Sequence, residues 1–223
     1  RPFAYDFFDS VLCCGPLLKN NIRIIESIRD FPRKKLYETG IPHWDELVED
    51  ITAKNFRSES SCTVLIAPSW GPWSLFEVFG IHFVRVIAAK YSVIVRPHPQ
   101  MRISQATLYQ QIIEIEGVTI DISKDPTESL SNASILVSDI SGIVDEFVFI
   151  HEKPAIIVTH DIGLDGFEGH YLQDVTSLRN KRSDIVFSLP PSDIDKLGGK
   201  IEEVLQKTHT LRIAELRGEL IYN

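Results

Sequence analysis

Short apolar runs alternate with longer amphipathic stretches along residues 62–223. The runs are three or four residues long, rich in β-branched side chains and apolar at successive positions: 64–67, 92–95, 118–120, 135–137 and 155–158. Successive apolar positions are typical of strands that are buried on both faces. The stretches between them, near 74–90, 104–116 and 141–151, predict helices. This alternation predicts right-handed βαβ units, and hence an α/β fold with a parallel sheet flanked by helices.

The two ends of the chain complete this picture. Pro190 and Pro191 close one more strand, and a helical stretch near 192–217 follows them. Within residues 1–61 the pattern predicts two strands, two helices and a polar linker: 10–14, 35–37, 18–29, 44–54 and 55–61. We therefore place a domain boundary between residues 61 and 62. Residues 62–223 are expected to form a Rossmann-like domain, and residues 1–61 the end of a preceding domain with a crossing segment.

Composition narrows the class of protein. The chain has 223 residues, of which 43% are hydrophobic and 24% charged, so a disordered or low-complexity chain is excluded. The formal net charge of -8 argues against a nucleic-acid partner that needs a broad basic face. Three cysteines, Cys13, Cys14 and Cys62, are too few for a disulfide framework and favour a reducing cytoplasm. No run approaches the roughly 20 apolar residues of a membrane span, so no transmembrane segment is predicted.

Polar side chains follow the ends of four predicted strands. In open parallel sheets, ligands bind beyond the carboxyl ends of the strands. The segments found there are Pro68-Ser69-Trp70, Arg96-Pro97-His98-Pro99, Ser138-Asp139-Ile140-Ser141-Gly142 and Thr159-His160-Asp161. We therefore expect a ligand site at this edge of the sheet, with Ser69 and Asp161 among its residues.

The segment after the fourth strand has the features of a phosphate site. A helix begins near Ser141 or Gly142, and a helix N-terminus offers free N–H groups and partial positive charge. Ser141 adds a hydroxyl donor, Gly142 permits close approach by a diphosphate, and Glu146 could reach ribose hydroxyls. An alternative is that Ser138 or Asp139 only caps the helix.

The Arg96-Pro97-His98-Pro99 segment is the more specific motif. Its two prolines stiffen the backbone and remove two N–H donors, so the segment cannot extend the sheet. Arg96 could bind phosphate through two parallel hydrogen bonds. His98 could donate to a phosphate or transfer a proton. The alternative is a rigid loop with a structural histidine.

The remaining histidines carry weaker expectations. His82 lies in an apolar helix and is expected to be core or partly buried, and His151 lies at a helix end, where a cation is favoured. No Cys-x-x-Cys or His-x-x-x-His spacing is present, so neither a structural metal nor a cofactor is predicted. No Walker loop or Gly-x-Ser-x-Gly elbow supports a P-loop enzyme or a hydrolase.

Taken in order, the motifs resemble those of the CDP-glycerol glycerophosphotransferases. The matching segments are Thr39–Leu47, Val64–Trp70, Arg96–Pro99, Ser138–Phe147, Lys153-Pro154 and the loop Asp161–Tyr171. The departures are Gly142 for the family's second serine, Asp145 for a phenylalanine, and His43-Trp44 for Arg-Asn. These departures bear on the identity of the donor more than on the fold.

The resemblance implies a GT-B-like enzyme, in which two Rossmann-like domains face each other across a cleft. The C-terminal domain would bind a CDP-linked donor, and glycerol phosphate would pass to a hydroxyl of a cell-surface polymer such as teichoic acid or capsule. His98 would engage the donor diphosphate or assist catalysis, and Glu146 would replace the family's aspartate. The polymer or lipid-linked acceptor would bind an upstream domain. We expect this chain to be a fragment that binds nucleotide with little or no turnover, in the cytoplasm or at the inner face of the cell membrane.

Two alternatives remain open from the sequence. One is a GT-B glycosyltransferase or epimerase that uses a UDP- or GDP-sugar. The other is a nucleotide-binding domain without catalytic activity.

Overall fold

The first part of the chain forms a small parallel βαβ unit. The computed structural model describes residues 5–54, 62–158, 185–207 and 210–222. Strand β1 (Ser10–Cys13) pairs in parallel with β2 (Lys35–Glu38), and helix α1 (Pro16–Ile28) connects them. Helix α2 (Pro42–Lys54) follows. These elements confirm the two strands and two helices predicted for this region.

A six-stranded parallel sheet forms the larger part of the molecule. Its strands are β3 (Thr63–Ile66), β4 (Ser92–Val95), β5 (Thr119–Ile120), β6 (Ile135–Ser138), β7 (Ala155–Val158) and β8 (Val186–Leu189). They lie in the order β5-β4-β3-β6-β7-β8, and every pair of neighbours is parallel. Counted from β3, this is the order 3-2-1-4-5-6 of a doubly wound, Rossmann-type sheet. The predicted parallel sheet is therefore confirmed.

Helices cover both faces of this sheet. They are α3 (Leu75–Phe79), α4 (His82–Ala88), α5 (Met101–Ser104), α6 (Ala106–Ile113), α7 (Thr127–Asn132), α8 (Ile143–His151), α9 (Leu197–Leu205) and α10 (Thr210–Leu220), with a short 3-10 helix at Pro191–Lys196. Among these described helices, none is long and apolar enough to cross a membrane.

Two hydrophobic cores lie on opposite faces of the sheet. In β3, Val64 and Ile66 belong to one core, and Leu65 belongs to the other. Side chains of a strand alternate between faces, so a run that is apolar at every position supplies both cores. All four residues of β3 are buried accordingly.

Some predicted helices are divided in the structure. The helix predicted near 74–90 breaks at Gly80, where φ is +62° and the backbone is left-handed. The helix predicted near 104–116 is preceded by a separate turn, because Gln105 has non-helical angles (φ -139°, ψ 48°). The stretch near 192–217 divides into the 3-10 helix, α9 and α10. Helix α7 was not predicted, because six residues show no clear periodicity.

The C-terminal helix joins the two parts of the molecule. On α10, Arg217 donates to the carbonyl of Phe149 in α8, and beyond the helix Tyr222 N donates to the carbonyl of Cys14 at 2.9 Å. The predicted boundary falls beside residues 55–61, which lie outside the described residues. The boundary therefore stays a prediction.

Candidate functional site

Among the described strands, the direction in which the chain winds across the sheet reverses between β3 and β6. From β3 the chain winds outward to β4 and β5, and from β6 it winds the opposite way to β7 and β8. The loops that leave β3 and β6 therefore diverge and leave a crevice between them, the usual ligand position in such folds. The two loops are residues 67–74 and 139–142.

The two loops are tied together at the base of the crevice. Asp139 accepts hydrogen bonds from the backbone N–H of Ser69 (2.7 Å) and of Leu75 (3.0 Å). The Ser138 hydroxyl donates to the carbonyl of Ala67 at 2.6 Å. Both side chains have 0% exposure, and their polar atoms bond to protein. We therefore correct the expectation that Ser138 and Asp139 bind the donor, because neither is accessible to a ligand. The alternative, that Ser138 or Asp139 caps α8, is also wrong: Asp139 instead accepts from the first amide of α3, a helix whose N-cap is Ser74.

The N-terminus of α8 opens into this crevice. Gly142 occupies the position before the helix, and no side chain of the described residues caps that terminus. Ser141 is half-buried and Gly142 is exposed. A methyl group added at Gly142 would meet no atom within 4 Å. Within the described residues, Val144 N and Asp145 N already donate inside the first turn, to the carbonyls of Ser141 (3.3 Å) and Gly142 (3.2 Å). The amides that remain available to an anion at this terminus are those of Gly142 and Ile143.

His98 follows the neighbouring strand, β4, and has a defined orientation. Its Nδ1 accepts a hydrogen bond from the backbone N–H of Gln100 at 3.1 Å. In the neutral ring the proton therefore lies on Nε2, which has no hydrogen-bond partner within the described part of the chain. The Trp70 ring lies against the imidazole, with centroids 6.1 Å apart. Burial lowers the pKa of His98, and the charge of Asp139 partly opposes this.

Arg96 is engaged within the protein. Its guanidinium pairs with Asp121 at 2.5 Å and donates to the hydroxyl (3.1 Å) and carbonyl (2.9 Å) of Ser123. Its side chain is only 12% exposed. Burial alone would raise the pKa of Asp121, but hydrogen bonds from Ser123, Ser129 and Arg96 outweigh it and lower that pKa. The expected two-bond contact of Arg96 with phosphate is corrected accordingly, since Arg96 fixes the loop after β5.

Glu146 lies on α8, one turn beyond Gly142, and is half-buried. Burial raises its pKa, whereas the positive charges of His43 and Arg96 lower it. His43 stands in the first turn of α2, so the first part of the chain also reaches this edge of the sheet. Sequence reasoning gave His43 little weight. The sequence feature that could have identified His43 is its position within the Thr39–Leu47 motif.

Ser69 and Asp161 are the two remaining predicted site residues. The Ser69 side chain is half-buried at the crevice, and its backbone N–H is the group that Asp139 holds. Asp161 lies outside the described residues.

Two histidines depart from expectation. His82 is exposed rather than core. His151 was expected to favour a cation, but burial, together with the charge of Lys153, lowers its pKa to about 4. Its ring stacks on Phe147, with centroids 5.9 Å apart. His151 is therefore a neutral packing residue near pH 7.

Other cavities lie around this edge and at the opposite edge. A recess of about 280 Å³ lies beside the segments that follow β4 and β5 and is lined by Arg96, Arg102 and Tyr109 among others. A cavity of about 510 Å³ lies at the amino ends of the strands, beside Thr63 and Ser92. Among the described residues, no group of three or more His, Cys, Asp or Glu could hold a metal ion.

The doubly wound sheet and its switch-point crevice define a GT-B-like α/β fold of the Rossmann type. A family model described as CDP-glycerol:poly(glycerophosphate) glycerophosphotransferase matches residues 19–171, more than half of the chain, and the chain belongs to this family. The resemblance of the motifs is thereby confirmed. No curated protein sequence matches the chain significantly.

Solved structures agree with this fold. The wall teichoic acid polymerase TagF superposes with a TM-score of 0.52 at 16% identity, over 94% of this chain and 52% of that one. A TagF variant soaked with CDPG gives 0.51 at 18% identity, over 94% and 50%. The UDP-GlcNAc 2-epimerase from Neisseria meningitidis, bound to UDP-GlcNAc, gives 0.51 at 16% identity, over 92% and 54%. The chain thus spans about half the length of the structures it matches.

Proposed function

We propose that this chain is the donor-binding half of a transferase that moves glycerol phosphate from a CDP-linked donor to a hydroxyl of a cell-surface polymer. The observation that carries the proposal is the N-terminus of α8, which no side chain of the described residues caps and which lies at the same switch-point crevice that His98 borders. Membership of the glycerophosphotransferase family supports the reaction class.

The donor diphosphate binds at the start of α8. The amides of Gly142 and Ile143 and the hydroxyl of Ser141 donate to its oxygens, and the absence of a side chain at Gly142 lets the phosphates approach the backbone. His98 donates from Nε2. Glu146 accepts hydrogen bonds from the ribose hydroxyls, and Ser69 contributes its hydroxyl from the opposite loop.

The reaction is a displacement at the phosphorus that carries glycerol. The acceptor hydroxyl oxygen forms a new P–O bond, the P–O bond to CMP breaks, and CMP leaves with the bonding electrons. His98 and the α8 terminus stabilise the charge that develops on the leaving phosphate. Because neutral His98 already has its proton on Nε2, this donation does not require an imidazolium.

The acceptor proton requires a base that the proposal does not assign to this chain. The chain spans about half the length of TagF, and we propose that the acceptor binds to a part of the enzyme outside this chain. The isolated chain then binds the donor and turns it over slowly or not at all. Measurable transfer by this chain alone would contradict that part of the proposal.

Calorimetric titration with CDP-glycerol tests the proposal directly. We expect saturable binding to the wild-type chain and an affinity about tenfold or more weaker in His98→Ala, because a hydrogen bond to a charged phosphate is lost. His82→Ala, which removes an exposed histidine on α4, serves as the control and should bind like wild type. Unchanged affinity in His98→Ala would overturn the assigned role of His98.

A second candidate ligand is a UDP-sugar. The epimerase that shares this fold was solved with UDP-GlcNAc bound, and the departures at Gly142 and Asp145 leave donor identity open. A thermal-shift panel of CDP-glycerol, UDP-GlcNAc and a GDP-sugar separates the candidates. Stabilisation by the CDP compound alone is expected, and stabilisation by the UDP compound alone would favour a sugar-nucleotide enzyme. If nucleotide binds but His98→Ala of the full-length protein keeps full activity, the site is not catalytic.

A further inference from the structure

Asp139 is a fully buried carboxylate whose two oxygens both bond to the main chain. Oδ1 accepts from Ser69 N at 2.7 Å, and Oδ2 accepts from Leu75 N at 3.0 Å. Within the described residues, no lysine, arginine or histidine forms an ion pair with it. A buried carboxylate is costly unless hydrogen bonds compensate it, so these two amides hold it in place and are held by it.

The two bonds bracket the loop that carries Trp70. The opposite side of this loop is fixed by Gln105, whose Oε1 accepts from Gly71 N at 3.1 Å. Between these anchors, the Trp70 ring lies 6.1 Å from the ring of His98. The bond from Ser69 to Asp139 therefore determines where Trp70 stands against His98.

A second link between Asp139 and His98 is electrostatic. The charge of Asp139 raises the pKa of His98 against the larger effect of burial. The other charged groups at this edge are Arg96, which is paired with Asp121, and Glu146, which lies within range of Arg96 and His43. Asp139 is the charged group that acts on His98 from the adjoining loop.

We propose that Asp139 is a positioning residue that fixes the Ser69–Leu75 loop and, through Trp70, the orientation of His98, without touching the donor. This positioning role is inferred from the geometry of the free protein. Its consequence for donor binding rests on the proposed function.

NMR titration of the His98 imidazole in the free protein tests the proposal. Asp139→Asn removes the charge and one of the two acceptors. The midpoint of the His98 titration should therefore move to lower pH, and the ring signals should shift as Trp70 moves. The signals are assigned by their loss in His98→Gln.

Ser138→Ala is the matched control. It removes a buried hydrogen bond from the adjacent position without changing charge. It should lower thermal stability but leave the His98 midpoint within error of wild type. An unmoved midpoint in Asp139→Asn, or an equal shift in both variants, would overturn the proposal.

A measurement on the unmodified chain covers the case in which Asp139→Asn does not fold. Hydrogen exchange of the Ser69 and Leu75 amides should be slow, because both are bonded to a buried carboxylate. Exchange at the rate of an open loop would contradict the proposal.

The consequence for the donor is measured separately. Asp139→Asn should bind CDP about fivefold or more weakly, whereas Ser138→Ala should change affinity less than twofold. If wild-type protein does not bind CDP, the proposed function fails while the His98 titration still decides the role of Asp139. If CDP binds equally to wild type and Asp139→Asn, the positioning role is overturned.

Discussion

At the scale of the residue, the candidate site separates accessible groups, which we propose face the ligand, from buried or paired groups that support them. Ser141, Gly142 and His98 lie at the crevice with atoms free to bind. Asp139 is buried, and Arg96 is committed to Asp121. A polar residue at a strand end can thus either face the crevice or bond within the protein. Its position along the chain does not show which of the two it does.

Gly142 offers a direct test of this separation. A methyl group there meets no atom within 4 Å, and its φ of -63° suits any residue. Gly142→Ala should therefore leave the free energy of unfolding within about 0.5 kcal/mol of wild type. The same methyl group would crowd a diphosphate, so CDP affinity should fall about tenfold or more by calorimetry.

The control for Gly142→Ala is Gly198→Ala. Gly198 lies in α9, where a methyl group also meets no atom within 4 Å. It should bind CDP like wild type. Unimpaired binding in Gly142→Ala would show that the diphosphate does not approach this backbone.

His151 predicts a pH dependence of stability. Its pKa in the folded protein is about 4, below its ordinary value near 6.5. Between these values the unfolded chain binds the proton and the folded chain does not, so stability should rise with pH from about 4 to 6.5. Across this range we expect the free energy of unfolding to increase by on the order of 2 kcal/mol. This is less than the full pKa difference would give, because the side chain is not completely buried.

Urea denaturation at about pH 4.5 and about pH 7, near the two ends of this pH range, measures this effect. His151→Gln should reduce the difference between the two free energies of unfolding, and His82→Gln, at an exposed site, should not. Equal pH dependence in wild type and His151→Gln would exclude His151 as the source.

At the scale of the element, packing of the last helix depends on a close backbone contact. Gly15 has extended backbone angles that any residue can adopt, but a β-carbon there would lie 1.6 Å from the carbonyl oxygen of Leu220. The contact joins the end of α10 to the turn before α1. Glycine is required at this position by space rather than by conformation.

Gly15→Ala should therefore displace the end of α10. We expect a loss of about 2–4 kcal/mol in the free energy of unfolding, since backbone atoms on both sides would have to move. Gly218→Ala on α10 is the control, because it meets no atom within 4 Å and should stabilise the helix by about 0.5–1 kcal/mol. Equal stability of the two variants would contradict the contact.

The sequence predicted elements better than their boundaries. Strands β3, β4, β6 and β7 were predictable because apolar side chains at every position require burial on both faces. The break at Gly80 was not predictable, because a helix can also continue through a glycine. Helix α7 was missed because its six residues are too few to show a period.

At the scale of the whole molecule, the order of the strands creates the candidate site. Reversal of winding between β3 and β6 places the loops after these strands at one crevice, and the parallel pairing of β4 with β3 brings His98 beside them. Sequence motifs predicted that these segments share an edge. They could not reveal which polar groups turn inward, because inward bonds such as Ser69 to Asp139 join residues 70 positions apart.

Amide chemical-shift mapping of a CDP titration tests the central claim most directly. Binding at the switch point should move the amide signals of Ser69, His98, Ser141 and Gly142. Shifts confined to the cavity at the opposite edge of the sheet, around Thr63, Ser92 and Gly117, would contradict the account.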